Sequence, residues 1–224
     1  MESTTQKRRK KDPVDDQRLI ALYMDSVVSN NMEPKNVYLF CKENAIQESD
    51  FYIHFGSIRA LKEAIWIQFF DHAVATMQMD QAYATYSNRD KLLTLYFTLF
   101  ELFTLNRSYI LFQFEGHQNA LKNGSTLKGM RSRFKEFIET MLDSTTDTTC
   151  ENSWTKVSKP VLAEGYWVNF LMVLKFWIED TSKGFEKTDV LIEKSINTAM
   201  DLTHSQPLER LLDLGKFLWK ENRN

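Results

Sequence analysis

Residues 51–57 read Phe51-Tyr52-Ile53-His54-Phe55-Gly56-Ser57, and this stretch decides the fold. It is an aromatic block that ends in a serine, a residue type that caps helix N-termini. From Ser57 onward, apolar residues recur every three or four positions over about five turns, which predicts a long helix. Those residues are Ile58, Leu61, Ile65, Phe69 and Ala73. The stretch is therefore predicted to join a short helix to a long amphipathic one.

The residues before this stretch predict three short helices. Asp12 and Pro13 have the residue types that begin a helix. Pro34 opens the second helix, and Ala45-Ile46 form a tight connection to a third helix over residues 48–53. Two short helices separated by a tight turn are typical of a helix-turn-helix.

The composition favours helices throughout the chain. Of 224 residues, 43% are hydrophobic and 13% aromatic, whereas Gly (7) and Pro (4) are scarce. Sandwiches, barrels and βαβ folds need more turn residues than this chain has. Apolar periodicity predicts further helices near residues 92–105, 108–122, 125–143, 159–180, 188–202 and 207–219, with a loop over 144–153. The predicted fold class is all-α, with ten helices.

The stretch and its flanks resemble the N-terminal domain of the TetR family of bacterial transcriptional regulators. His54-Phe55 and Ser57 match the family pattern, and Leu61 matches the apolar residue that packs the fourth helix. The resemblance covers roughly residues 17–65. It implies a three-helix helix-turn-helix domain over 12–56 and a larger helical ligand-binding and dimerisation domain over 57–224. The polar, basic composition of residues 1–11 predicts a disordered tail.

Several positions that depart from the family pattern bear on DNA binding. Ala45 replaces the turn glycine, Gln47 replaces a Ser or Thr cap, and Glu48 and Asp50 place acids on the recognition helix. Residues 12–60 hold eight acidic and four basic side chains, while residues 1–11 carry a net charge of +4. Phosphate contacts supply most non-specific DNA affinity. This module is therefore neutral where a DNA reader is normally basic.

The resemblance also implies which residues would meet DNA. A basic arm can contact the backbone or the minor groove, and the short helices would supply the other contacts. The predicted set is Lys7, Arg8, Arg9, Lys10, Lys11, Lys35, Gln47, Glu48, Ser49, Tyr52 and His54. His54 and Tyr52 are also expected to lock the third helix to the fourth.

Two further sites are predicted in residues 57–224. Aromatic side chains of the central helices indicate either a packed core or the lining of an apolar pocket. The predicted pocket comprises Tyr96, Phe100, Phe103, Phe112, His117, Trp167 and Phe170. A helix that is apolar all round must be buried on all sides, so the late long helices predict a C2 dimer contact. The predicted contact residues are Phe176, Trp177, Leu191, Ile192 and Ile196.

Two function hypotheses follow. The first is a homodimeric, non-enzymatic TetR-like regulator that releases operator DNA when an apolar or aromatic effector binds. The second keeps the fold, lacks DNA binding and carries a lipid or isoprenoid, as in the ubiquinone-biosynthesis lipid-binding protein that shares the TetR fold. Residues 176–180, before a Ser-x-Gly turn and Thr188, are similar to that branch.

The sequence predicts little other chemistry. We expect no cofactor, no metal site and no membrane span, because neither ligand spacing nor an apolar run of sufficient length occurs. The two cysteines, Cys41 and Cys150, lack zinc-ligand or CxxC spacing, which indicates reduced thiols and a cytoplasmic protein.

Overall fold

A computed structural model describes residues 14–114, 125–143 and 153–203. The described residues form α-helices joined by turns and two single-turn 3-10 helices, Tyr83–Thr85 and Lys183–Phe185, and contain no strand. The α-helices are α1 Asp16–Asn30, α2 Val37–Glu43, α3 Glu48–His54, α4 Ile58–Gln78, α5 Asn88–Leu105, α6 Arg107–Phe114, α7 Lys128–Asp143, α8 Ser153–Glu179 and α9 Glu186–Thr203. The all-α prediction is confirmed. The predicted tail over 1–11, the helix over 207–219 and all of the predicted loop over 144–153 except Ser153 lie outside the described residues, and Ser153 is the first residue of α8.

The chain divides into two compact units, Met1–Lys62 and Glu63–Asn224. The sequence placed the boundary before Ser57, whereas the observed division falls inside α4. The first turn of α4 belongs with the N-terminal unit because Leu61 is fully buried there and Lys62 pairs with Glu33.

Short polar side chains set where the first two helices begin. The Asp15 carboxylate accepts a hydrogen bond from the Arg18 backbone N at 2.8 Å, so α1 begins at Asp16, while the predicted start at Asp12-Pro13 lies outside the described residues. The Asn36 side chain caps α2 in the same way, through the Leu39 backbone N at 2.9 Å. For that reason α2 begins after Pro34 and not at it.

An aromatic cluster fills the core of the N-terminal unit. Phe40 of α2 lies between Tyr23 of α1 and Phe51 of α3, with both ring-centroid distances at 5.9 Å. All three side chains have no accessible surface or nearly none. Such ring pairs add about 0.5–1.5 kcal/mol beyond the burial of their area. The aromatic residues thus hold the three short helices together.

A second aromatic cluster fills the C-terminal unit, where α8 packs against α7 and α9, and α5 packs against α9. Its centre is Phe170 of α8. Ring centroids 5.2 to 6.4 Å away belong to Tyr96, Phe100, Phe103, Phe134 and Trp167. These contacts join α5, α7 and α8 into one core.

The segment Lys159–Glu179 of α8 is the one described segment long and apolar enough to cross a membrane. Core helices of water-soluble proteins meet the same criteria of length and composition. Phe170, Val173, Leu174 and Trp177 of this segment have no accessible surface in the folded chain. These four residues are core residues, whereas 39% of the most apolar stretch of the segment is buried inside the chain.

Candidate DNA-binding helices and the C-terminal domain

A short turn, residues 44–47, joins α2 to α3, as expected of a helix-turn-helix. Ala45 has φ of +54°, in the left-handed region that favours glycine. The Ile46 backbone N donates to the Cys41 carbonyl at 2.9 Å and closes the turn. A left-handed residue with a Cβ costs about 1–2 kcal/mol. The missing turn glycine noted in the sequence therefore corresponds to a strained backbone position.

The N-terminus of α3 is acidic and poorly capped. Gln47 occupies the N-cap position but forms no side-chain cap hydrogen bond, while Glu48 and Asp50 lie in the first turn. Carboxylates there interact favourably with the helix dipole. The same carboxylates occupy the helix end that otherwise attracts phosphate. Glu48 and Asp50 thus stabilise α3 but repel DNA phosphates from its N-terminus.

The exposed side of α3 is apolar and aromatic. Tyr52 is 51% exposed and Ile53 is 76% exposed, and Ser49 is exposed beside them. The Tyr52 hydroxyl donates to the Glu48 carboxylate at 3.2 Å. Desolvation and this hydrogen bond raise the pKa of Tyr52, so the hydroxyl is a donor at neutral pH. The sequence of α3 contains no lysine or arginine.

His54 ties α3 to α1. Its Nδ1 contacts the Asp16 carboxylate, and its Nε2 lies 3.0 Å from the Val14 carbonyl oxygen. The sequence predicted that His54 locks the third helix to the fourth, and the structure corrects this to the start of the first. Since both ring nitrogens contact protein acceptors, His54 has a structural role, and its contact with DNA stays a prediction.

The positive charges of the N-terminal unit lie outside α3. Lys35 is exposed before α2, and Arg59 is exposed in the first turn of α4. Lys42 of α2 lies over the Tyr38 ring, with its Nζ 5.9 Å from the ring centroid. The predicted arm residues Lys7 to Lys11 lie outside the described residues. Among the described residues, the lysines and arginines of this unit therefore flank α3 in the sequence.

The predicted pocket residues form a packed core in this conformation. Tyr96, Phe103 and Phe170 have no accessible surface, and Phe100 and Trp167 have almost none. A side chain with no accessible surface borders no space large enough for water. The expectation that these rings line an open pocket is therefore corrected.

The other two predicted pocket residues are placed differently. Phe112 is half-buried on α6, and His117 lies outside the described residues.

The predicted dimer residues mostly face inward. Trp177, Ile192 and Ile196 have no accessible surface within one protomer, so their side chains cannot contact a partner. Leu191 is half-buried, and Phe176 is exposed. The expected contact residues are therefore wrong for Trp177, Ile192 and Ile196, because these side chains complete the core of their own chain.

The outer face of α8 carries an exposed apolar row, here called the α8 stripe. Its side chains are 39–58% exposed and recur at helical spacing. They are Val161, Val168, Met172 and Phe176. Gly165 lies within the row, and a Cβ built on it would meet no atom within 4 Å. The charged side chains Lys175 and Glu179 are exposed on the same face towards the end of α8.

Arg107, the first residue of α6, is a structural residue that sequence reasoning missed. Its guanidinium nitrogens donate to the carbonyls of Trp177 and Ile178 at 3.1 Å and of Asp180 at 3.3 Å. Its guanidinium carbon lies 4.4 Å from the Trp177 ring centroid and 4.5 Å from that of Phe185. In the sequence it was visible only as part of a break between helices. The side chain connects α6 to the end of α8.

Asp180 organises the junction between α8 and α9. Its carboxylate accepts from the backbone N and hydroxyl of Ser182, at 2.8 and 2.7 Å. It also accepts from the backbone N and hydroxyl of Thr188, at 3.0 and 2.6 Å. Desolvation opposes the charge, but these hydrogen bonds outweigh it and lower the pKa of Asp180 to about 2. The Asp-x-Ser spacing before Thr188 was the available sequence signal.

Residues 91–218 match the model of a family described as "Tetracyclin repressor-like, C-terminal domain". The chain belongs to the TetR family. The matched residues make up more than half of the 224-residue chain and include the Arg107 and Asp180 contacts. No curated protein matches the chain significantly. The family resemblance inferred from residues 17–65 is thus confirmed by a match to the C-terminal part of the chain.

Membership of the TetR family points to a regulator and not to an enzyme. Within the described residues, no group of three or more His, Cys, Asp or Glu side chains is arranged to hold a metal ion. Cys41 is a buried thiol whose pKa is raised by burial and by the charges of Glu48 and Asp50. A raised thiol pKa lowers the thiolate fraction and therefore the reactivity.

Proposed function

We propose that the protein is a cytoplasmic, homodimeric TetR-like transcriptional regulator. It binds operator DNA through α2 and α3 and releases it when an apolar or aromatic small molecule binds the C-terminal unit. The observation that carries this proposal is the match of residues 91–218 to a tetracycline-repressor-like C-terminal domain. The helix-turn-helix geometry around Ala45 supports it independently.

DNA affinity comes from residues outside α3. In a helix-turn-helix the second helix enters the major groove and reads base edges. Because α3 carries two acids and neither lysine nor arginine, phosphate neutralisation falls to Lys35 and to the arm Lys7 to Lys11. Counterion release by these side chains makes binding strongly salt-dependent.

Dimerisation uses the α8 stripe. Apolar side chains exposed in a continuous row mark an interaction surface, and a C2 contact pairs the same surface of both copies. The open position at Gly165 lets a second helix approach closely. Of the dimer-contact residues predicted from the sequence, Phe176 is retained in this interface. Val161, Val168 and Met172 take the place of the predicted residues that are buried in the protomer.

The effector is an apolar or aromatic molecule with a hydrogen-bond acceptor. In the described part of the chain, Trp177 Nε1 and Gln113 Nε2 are buried and have no hydrogen-bond partner. A buried donor without an acceptor costs about 1–3 kcal/mol, which a carbonyl or ether oxygen of a ligand would relieve. Because the surrounding rings are packed, binding requires a second conformation of α6, which carries the half-buried Phe112 and Phe114.

Selection of genomic DNA fragments with the full-length protein tests the proposal. Enriched fragments are then titrated at two salt concentrations. We expect that deletion of residues 1–11 weakens binding at every sequence and flattens the salt slope by several units. The control is a double variant that carries Lys187→Gln and Lys194→Gln at exposed positions of α9. It should change neither the affinity for DNA nor the salt slope. If no fragment binds below about 10 μM at low salt, the regulator proposal fails and the lipid-carrier hypothesis takes its place.

A further inference from the structure

The exposed side of α3 offers an unusual set of groups for reading DNA bases. Two rows run along it, Glu48 with Tyr52 and Ser49 with Ile53, each spaced four residues apart. Residues four apart lie on one face of a helix. The groups available are therefore a carboxylate, a hydroxyl, a phenol and a large aliphatic side chain, with no cation for guanine.

The Glu48 carboxylate restricts which base it can face. In the major groove, guanine and thymine present acceptors and no donor, at N7, O6 or O4, which a carboxylate repels. Adenine presents its N6 amino donor beside the N7 acceptor, whereas cytosine presents the N4 amino donor and no acceptor of its own. Glu48 therefore favours cytosine by attraction, and the acceptors of the other bases repel it, and such repulsion is a common source of specificity.

Tyr52 positions that carboxylate. Its hydroxyl donates to Glu48 Oε1 at 3.2 Å, on the exposed side of the helix. The bond limits the rotamers of Glu48, so the carboxylate is held before a base arrives. Tyr52 is thus a positioning residue for the contact that Glu48 makes.

Ile53 supplies the apolar contact. It is the most exposed large apolar side chain of α3, at 76%. The apolar group on a major-groove edge is the thymine methyl. Ile53 lies five residues after Glu48, about 7.5 Å along the helix axis, which is roughly two base-pair steps of 3.4 Å.

Together these observations point to one base preference. Resting on the proposed DNA-binding function, we propose that α3 reads a C·G pair through Glu48, held by Tyr52. A thymine within about three base pairs of it is read through Ile53. The preference is a property of this chain's own side chains on α3.

Selection from a randomised DNA library with full-length protein tests this preference. Wild type should favour cytosine at one half-site position by about tenfold, in the range given by one good base contact. Glu48→Gln should shift that position to adenine, the base that pairs with an amide side chain. Tyr52→Phe should flatten the preference at the same position only, which a purely structural role would not do. Asp25→Asn removes one exposed carboxylate from α1 and should leave the motif unchanged.

Ile53 is tested with modified DNA. Replacement of the selected thymine by deoxyuridine removes one methyl group and should weaken wild-type binding about fourfold. The same replacement should not affect Ile53→Ser. A motif without cytosine, or an unchanged motif for Glu48→Gln, would overturn the inference while DNA binding stands. A library from which nothing is enriched would overturn the proposed function itself.

Discussion

The Arg107 guanidinium lies 4.4 Å from the centre of the Trp177 ring and donates to the Trp177 carbonyl at 3.1 Å. The last carbonyls of a helix have no partner within the helix, and the negative end of the helix dipole is found there. One cation at the start of α6 therefore satisfies the end of α8. Through this contact, the position of α6 is coupled to the α8–α9 junction.

Arg107→Lys should lower the free energy of unfolding by about 1–2 kcal/mol. A lysine keeps the charge but cannot donate to three carbonyls in a fork or stack flat on Trp177. Urea denaturation measures the difference. Arg133→Lys is the matched control because Arg133 is exposed and its contact with Asp71 is long, at 3.8 Å. This variant should change the free energy of unfolding by no more than about 0.5 kcal/mol. Equal effects of both variants would remove the special role of Arg107.

Asp180→Asn should lower stability by about 2 kcal/mol at neutral pH, because four hydrogen bonds to a charged group are weakened. The folded pKa of Asp180, about 2, lies below its ordinary value of 3.8. The carboxylate therefore stabilises the fold above pH 4, and this contribution is lost as the pH falls from about 4 to about 2.

Urea denaturation of wild type and Asp180→Asn at several pH values checks this. The stability difference should be constant from pH 7 to pH 5 and shrink below pH 4. Asp25→Asn, at an exposed site on α1, should stay within about 0.5 kcal/mol of wild type at pH 7. A difference between wild type and Asp180→Asn that persists at pH 2 would show that the charge of Asp180 is not its source.

Local signals predicted the fold well and the sites less well. The Ser57 cap and the strained turn at Ala45 were recognisable because both depend on residues near them in the chain. The contact between Arg107 and the end of α8 joins residues far apart in sequence, so no local pattern reveals it. On α8, Phe176 and Trp177 have similar hydrophobicity, and the packing of the other helices decided which one is buried.

The caps of α3 and α4 should respond oppositely to substitution. The Ser57 hydroxyl accepts from the Ala60 backbone N at 3.1 Å, and Ser57→Ala should cost about 1 kcal/mol. Gln47 makes no side-chain cap hydrogen bond, and Gln47→Ser should add about 0.5–1 kcal/mol. Thermal denaturation of both variants measures the changes, and a loss of stability in Gln47→Ser would contradict the assignment of Gln47 as an unfilled cap.

Ala45→Gly should stabilise the protein by about 1 kcal/mol. Glycine adopts a φ of +54° without the steric cost that a Cβ brings. Ala21→Gly is the matched control, since Ala21 is exposed inside α1 and glycine there should cost about 1 kcal/mol. Urea denaturation should therefore show that the free energy of unfolding rises in Ala45→Gly and falls in Ala21→Gly. Destabilisation by Ala45→Gly would show that the turn is not left-handed in solution.

Met172→Asp should separate dimerisation from folding. Met172 is half-exposed at the middle of the α8 stripe, so an aspartate there leaves the core of one protomer intact. In a C2 contact, the two introduced charges lie in one apolar interface and cost several kcal/mol, which corresponds to a dissociation constant raised on the order of a hundredfold or more.

Met79→Asp is the control, at an exposed methionine just after α4. Sedimentation should show a wild-type dimer, a dimeric control and a monomeric Met172 variant with unchanged circular dichroism. A monomeric wild type at about 10 μM would contradict the dimer, because stable homodimers associate well below that concentration. A dimeric Met172 variant would place the interface elsewhere.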